Sequence, residues 1–229
     1  MKDPLSLLLE RSGVAGSVFC RAELTAPWSI STTGSGDPGA GRPAIFHVIV
    51  RGAGFARVEP DRAAEGASPK EVSWRSGDVI MMPHGDPHIM SSHPSERPVP
   101  IASLPSRPSE DGLPCITHGG DGPETSILCG TVRFSEEAEE LLRPHLPPLL
   151  HLQCAQGPAA AWLDATLRLL GAETSTALPG SETVIARLAE VLFVQALRAW
   201  LRDLPKGTIG WLAALGDPNL SRVLTAIHE

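Results

Sequence analysis

One stretch constrains this chain more than any other: Gly77-Asp78-Val79-Ile80-Met81-Met82-Pro83-His84-Gly85-Asp86-Pro87-His88. A short apolar run stands between Gly-Asp and Pro-His-Gly-Asp-Pro, which is the pattern of a buried strand ending in a tight turn. The glycines permit the turns, Pro83 fixes the exit, and the histidines are presented around it. Further short strand patterns surround this stretch. Residues 17–24 alternate apolar and polar, residues 44–50 form a strong β run closed by Arg51-Gly52-Ala53-Gly54, residues 55–58 follow, and Val72-Ser73-Trp74 leads into the central stretch. Residues 125–134 read as the strand that closes the structure. Short strands at close spacing with turn residues between them predict a barrel or sandwich. Residues 31–44 and 59–70 read as loops. Residues 91–124, rich in Pro, Ser, Gly and acidic side chains, are expected to be a long, partly mobile loop over the barrel mouth.

After Phe134 the period becomes helical. Residues 135–142 carry a cap and an acidic first turn and stop before Pro144; residues 159–170 give a second helix. Pro179-Gly180-Ser181-Glu182 starts a third, expected to run to about residue 204. Its apolar set is too broad for one face, so it needs cover on two sides. Its own domain supplies one; a second copy of the chain is expected on the other, through Leu188, Val191, Leu192 and Gln195, the alternative being a helix enclosed by this chain alone. A short helix is expected after Asp3-Pro4, and another over residues 219–229, whose pattern has no stop signal and implies a continuation. The expected fold class is α+β, with a β-barrel domain over 1–134 and a helical dimerisation and linker region over 135–229.

Composition narrows the function. The formal net charge of −7 gives no field that would attract nucleic acid. No apolar run has transmembrane length and the N-terminus lacks a signal-peptide core, so a cytoplasmic protein without membrane contact is expected. The four cysteines, Cys20, Cys115, Cys129 and Cys154, form no CxxC pair. Reduced thiols follow, with Cys20 and Cys154 read as structural. Nucleotide-binding loops, Gly-x-Ser-x-Gly and His-Glu-x-x-His are all missing from the sequence.

The spacing Gly77-x5-Pro83-x-Gly85-x2-His88 resembles the second signature motif of the cupin superfamily. That resemblance implies a small jelly-roll barrel with His88 pointing inward as a metal ligand or ligand contact. More widely, the chain resembles the N-terminal ligand-binding domain of AraC-type transcriptional regulators. The segments that carry this are residues 17–21, Ala26-Pro27-Trp28, Phe46-His47-Val48-Ile49, the central stretch, Leu128-Cys129-Gly130, residues 188–198, Gly210-Trp211-Leu212 and Asp217-Pro218. The resemblance implies a non-enzymatic domain that binds a small-molecule effector and forms a homodimer. DNA would be read by a C-terminal helix-turn-helix part that lies beyond this chain. In that family a phrase like Ala226-Ile227-His228 directly precedes it.

Metal-dependent cupins add a first motif with two histidines and a glutamate. Setting its last glycine on Gly52 puts Ile45 at the glutamate position and Pro38-Gly39-Ala40-Gly41 at the histidines, so those ligands are missing. His47 still shares a strand face with Ile45 and is expected to point inward. With His88 and Cys129 it offers two imidazoles and a thiolate, a set suited to zinc or another divalent metal, with His84, Cys115 and His118 as further candidates. Trp28, His47, His84 and His88 are the expected ligand contacts. The rival reading is a metal-dependent cupin enzyme, a dioxygenase or isomerase, and a third is a scaffold whose interior is filled by its own side chains.

Overall fold

The computed structural model describes residues 15–34, 42–58, 70–108, 113–141, 143–153, 158–176 and 178–202. The expected helices after Asp3 and over 219–229, and Cys154, lie outside them. The strands are β1 (Ala15–Thr25), β2 (Ser29–Thr32), β3 (Ala44–Arg51), β4 (Ala53–Val58), β5 (Lys70–Arg75), β6 (Val79–Met82), β7 (His88–Ser91), β8 (Val99–Pro100), β9 (Ser106–Pro108), β10 (Pro114–Gly119), β11 (Glu124–Arg133) and β12 (Leu150–Leu152). The α-helices are α1 (Glu136–Leu141), α2 (Pro158–Thr176) and α3 (Ser181–Arg202). A seven-stranded sheet runs β12-β6-β3-β11-β1-β10-β9 and a five-stranded sheet runs β5-β4-β7-β2-β8.

The larger sheet is covered on both faces. One face shares an apolar cluster with the smaller sheet, including Cys20, Ile45, Ile49, Met82, Ile127 and Cys129 from the large sheet and Ile30, Ala56, Val58 and Met90 from the small one. The other face, with Phe46, Val48, Met81 and Leu128, packs with Ala189, Leu192 and Phe193 of α3 and Leu170 of α2. Burial on both faces explains why β3 and β6 read as continuous apolar runs rather than alternating ones. Each residue along β3 therefore serves one layer and its neighbour the other.

Two glycines are required where they stand. Gly77 takes φ +88° in the turn before β6, a conformation that favours glycine. At Gly130 a Cβ would lie 2.1 Å from Phe46 Cζ and 2.4 Å from the Ser17 carbonyl oxygen, so β11 passes this close to Phe46 only without a side chain.

Three differences from the sequence reading stand out. Residues 91–124 are not one long loop: they hold β8, a 3-10 turn over Ile101–Ser103, β9 and β10, and β10 pairs in parallel with β1. Only Ile116 of β10 is buried, so the strand is made by pairing to β1 and carries little alternation of its own. Leu150–Leu152 likewise joins the sheet, antiparallel to β6, from within the region read as helical. Finally, Leu192 is wholly buried against the sheet, and it is withdrawn from the dimer surface because its own chain already covers it. Val191, Leu188 and Gln195 remain exposed or half-exposed.

Candidate functional site

Period two on β3 sends His47 to the same side as Ile45 and Ile49, between the sheets. β11 runs antiparallel beside β3 and places Cys129 directly opposite His47. The Pro83–Pro87 turn brings the chain back so that His88, the first residue of β7, enters from the smaller sheet. All three are buried: His47 is 5% exposed, His88 1% and Cys129 4%. His47 Nδ1 lies 3.2 Å from Cys129 Sγ, and His47 Nε2 lies 2.8 Å from His88 Nε2. His88 Nδ1 is 2.9 Å from the Asp86 carbonyl oxygen and 2.9 Å from Thr32 Oγ1.

Valence assigns the protons. The Asp86 carbonyl can only accept, so His88 Nδ1 carries the hydrogen and a neutral His88 is left with Nε2 as an acceptor. His47 must then donate from Nε2, which makes its Nδ1 the acceptor of the Cys129 S–H. The result is a directed relay, Cys129 to His47 to His88 to the Asp86 carbonyl, with each donor used. Burial pushes His88 down to about 4, partly offset by the Asp86 carbonyl. His47 sits well below the ordinary imidazole range, through burial and then the neighbouring His88. Both imidazoles are therefore neutral at physiological pH.

Cys20 joins this network from β1. It is the register partner of Cys129 and makes a side-chain hydrogen bond with it. The contact with Cys20 and burial both raise Cys129, which keeps its S–H for His47.

Residues 3–202 match the protein family described as Cupin. The chain is a cupin. A protein of Streptomyces lividans, provisionally named an AraC-like transcription regulator, is 29% identical to it over 230 residues, covering 100% of this chain and 68% of the relative. A Haemophilus influenzae protein named as an uncharacterized HTH-type transcriptional regulator is 28% identical over 229 residues, 99% of this chain and 68% of its own length. The HTH-type transcriptional regulator AlkR of Acinetobacter baylyi is 28% identical over 189 residues, covering 80% of this chain and 58% of that protein. The resemblance to AraC-type regulators thus extends over the whole cupin, which spans about two-thirds of the length of the first two of these relatives.

The remaining candidates of this cupin fall elsewhere. His84 Nε2 donates to the Leu146 carbonyl at 2.9 Å and holds the turn to the segment before β12. His118 lies on β10 in an open surface depression of about 430 Å³ with Glu23, Arg51, Thr117 and Glu124. Cys115 alternates with the inward Ile116 on the same strand and so belongs to the outer face. Trp28 is 2% exposed and stacks on Trp74, with ring centroids 6.2 Å apart. The expected tripod of His47, His88 and Cys129 is brought together, but not as a chelate. His47 turns one nitrogen to Cys129 and the opposite one to His88, so the three donors do not converge on one point. Among the described residues no group of three or more His, Cys, Asp or Glu is arranged to hold a metal ion.

Two participants escaped the sequence reading. Cys20 shares a face of β1 with the buried Ala22 and Leu24, so its inward direction was readable, but its place opposite Cys129 was not. The Asp86 carbonyl, which fixes the proton order, leaves no mark in side-chain patterns. A third buried polar contact also emerges: His151 Nε2 lies 3.0 Å from Asp78 Oδ2, tying β12 to the Gly77-Asp78 turn.

Proposed function

We propose that this cupin is the signal-sensing and dimerisation part of an AraC-type transcription regulator, with DNA read by a domain outside this chain. One observation carries the reading. The residues that hold the buried relay alternate with residues that hold α3: His47 follows Phe46 on β3, and Cys129 follows Leu128 on β11. A chemical change between the sheets thus acts on backbone whose opposite face supports the helix. No rearrangement of distant elements is needed to connect the two layers.

We read the two sheets as the halves of a jelly-roll barrel whose interior is the sensing compartment. Its buried donors support a small polar effector. The indole N–H groups of Trp28 and Trp74 have no hydrogen-bond partner among the described residues. Leaving each donor unpaired costs on the order of 1–3 kcal/mol, which an acceptor oxygen would relieve. On α3, Val184, Leu188, Val191 and Gln195 fall at i, i+4, i+7 and i+11, and Val184 and Val191 are 41% and 40% exposed. That spacing is one helix face and the natural surface for a second copy. Nothing in the arrangement favours the metal-dependent enzyme.

The test uses the intact regulator, this chain with its DNA-binding part, on a reporter promoter. Substituting His88→Gln is expected to abolish or lock the response while DNA binding in a mobility-shift assay persists. A variant that responds like the parent, with the same dose dependence, would refute a sensing role for the relay.

A further inference from the structure

We propose that Cys20 and Cys129 are a modification site, forming a reversible cross-strand disulfide when the protein meets a small two-electron oxidant such as hypochlorous acid or hydrogen peroxide. The inference rests on the sensing role above only for its regulatory consequence; the bond itself follows from the geometry.

The two residues are direct partners in the antiparallel β1–β11 ladder. Directly opposed residues in such a ladder have Cα atoms about 4.5–5.5 Å apart, inside the span of about 4.4–6.8 Å that a disulfide bridges. Both side chains face the same inter-sheet cluster, and the thiols are hydrogen-bonded to each other. The β1–β11 register shifts between Val18 and Cys20, immediately beside the pair. A bulge of this kind gives the strand local freedom to adjust as the bond closes.

Access sets the class of oxidant. Each cysteine is 4% exposed, so a reagent must be small and neutral to reach sulfur, which favours hypochlorous acid or peroxide and excludes a bulky disulfide such as oxidised glutathione. Cys20, whose thiol is not engaged by His47, loses its proton to solvent and is the attacking sulfur. With hypochlorous acid, Cys20 sulfur takes the chlorine and hydroxide leaves. Cys129 sulfur then displaces chloride, its proton passing through His47 Nδ1, which lies 3.2 Å away, and on to hydroxide. The sum is two thiols and HOCl giving the disulfide, water, a proton and chloride. With peroxide the products are the disulfide and two waters.

The consequence is specific. The bond removes the Cys129 S–H that His47 Nδ1 accepts, so the relay loses its first donor at the point where Gly130 touches Phe46. Strand β11 is thereby altered on the face that supports α3.

The experiment treats the purified, fully reduced chain with one equivalent of hypochlorous acid, or with peroxide, and maps non-reduced peptides by mass spectrometry. The expected result is a Cys20–Cys129 crosslink, two hydrogens lost from the intact mass, and full reversal by dithiothreitol. Oxidised glutathione is expected to leave both thiols free. Cys129→Ala is expected to stop at sulfenic acid on Cys20, trapped by dimedone, and Cys20→Ala to leave Cys129 unoxidised at the same dose; circular dichroism of each variant reports whether it folds. A crosslink to Cys115 or Cys154, crosslinks between chains, both thiols surviving equimolar oxidant, or zinc released in place of disulfide formation would each overturn the proposal. If the mapped disulfide forms but the intact regulator's reporter ignores the oxidant, the sensing role fails and the modification site stands.

Discussion

Acid is expected to destabilise this protein through the two neutral imidazoles, and the size of the effect follows from their burial. His88 ionises at about 4 in the folded chain, against 6.5 for an ordinary imidazole. Between those values the unfolded chain binds a proton that the folded one refuses, so stability falls as pH falls. The contribution is complete above about pH 6.5, declines through the window down to about 4, and levels off below it. Working the two titrations through at pH 5 gives a loss of about 2 kcal/mol from His88 alone relative to neutral pH. His47 is shifted in the same direction and adds to it. The assay is urea unfolding at pH 7.5 and at pH 5, on the parent and on His88→Gln, which keeps a polar side chain but cannot titrate. Surface groups contribute alike to both proteins and cancel in the comparison. The parent is expected to lose about 2 kcal/mol more than the variant over this interval. Equal losses would mean that the folded chain accepts a proton at this position, and the buried neutral pair would be refuted.

Two further predictions separate roles on the helix and at the site. Leu192→Ala, inside the sheet-facing cluster, is expected to cost about 2–5 kcal/mol in chemical unfolding. Val184→Glu with Val191→Glu is expected to change stability little, by about 0.5 kcal/mol per site, and to convert dimers to monomers in analytical ultracentrifugation; unchanged dimers would remove α3 as the interface. Because the donors of His47, His88 and Cys129 do not converge, dialysis against EDTA is expected to leave the melting temperature unchanged and to release no stoichiometric zinc. A drop of several degrees with about one equivalent of zinc released would show that the relay rearranges around a metal.

The strands flanking the site were readable because each announces itself locally. β3 and β6 are apolar runs bounded by glycine, β1 alternates, and the helical period after Phe134 marks α1, α2 and α3. His47, His88 and Cys129 were likewise found as inward residues from period two and from the spacing of the central stretch. What stayed hidden depends on pairing. β10 has a single buried apolar residue and is a strand because β1 lies beside it; β12 is short and is stabilised by β6. The broad apolar surface of α3 was legible as needing two covers, but not which residue met which cover, so Leu192 and Val191 could not be told apart until the sheet was seen beneath the helix.

By itself the sequence determined the direction in which each side chain points, since the alternation of a strand and the turn of a helix are properties of a few consecutive residues. Only the tertiary structure decided which of those side chains meet. Cys20 faces Cys129, and His47 stands between Cys129 and His88 with its nitrogens turned to opposite partners. Such contacts are fixed by register between strands far apart in the chain, and register is set by how two sheets and a helix layer close around one another. The proton order of the relay, and the failure of its donors to form a chelate, follow from that closure because an imidazole has two nitrogens and its surroundings alone choose what each one meets.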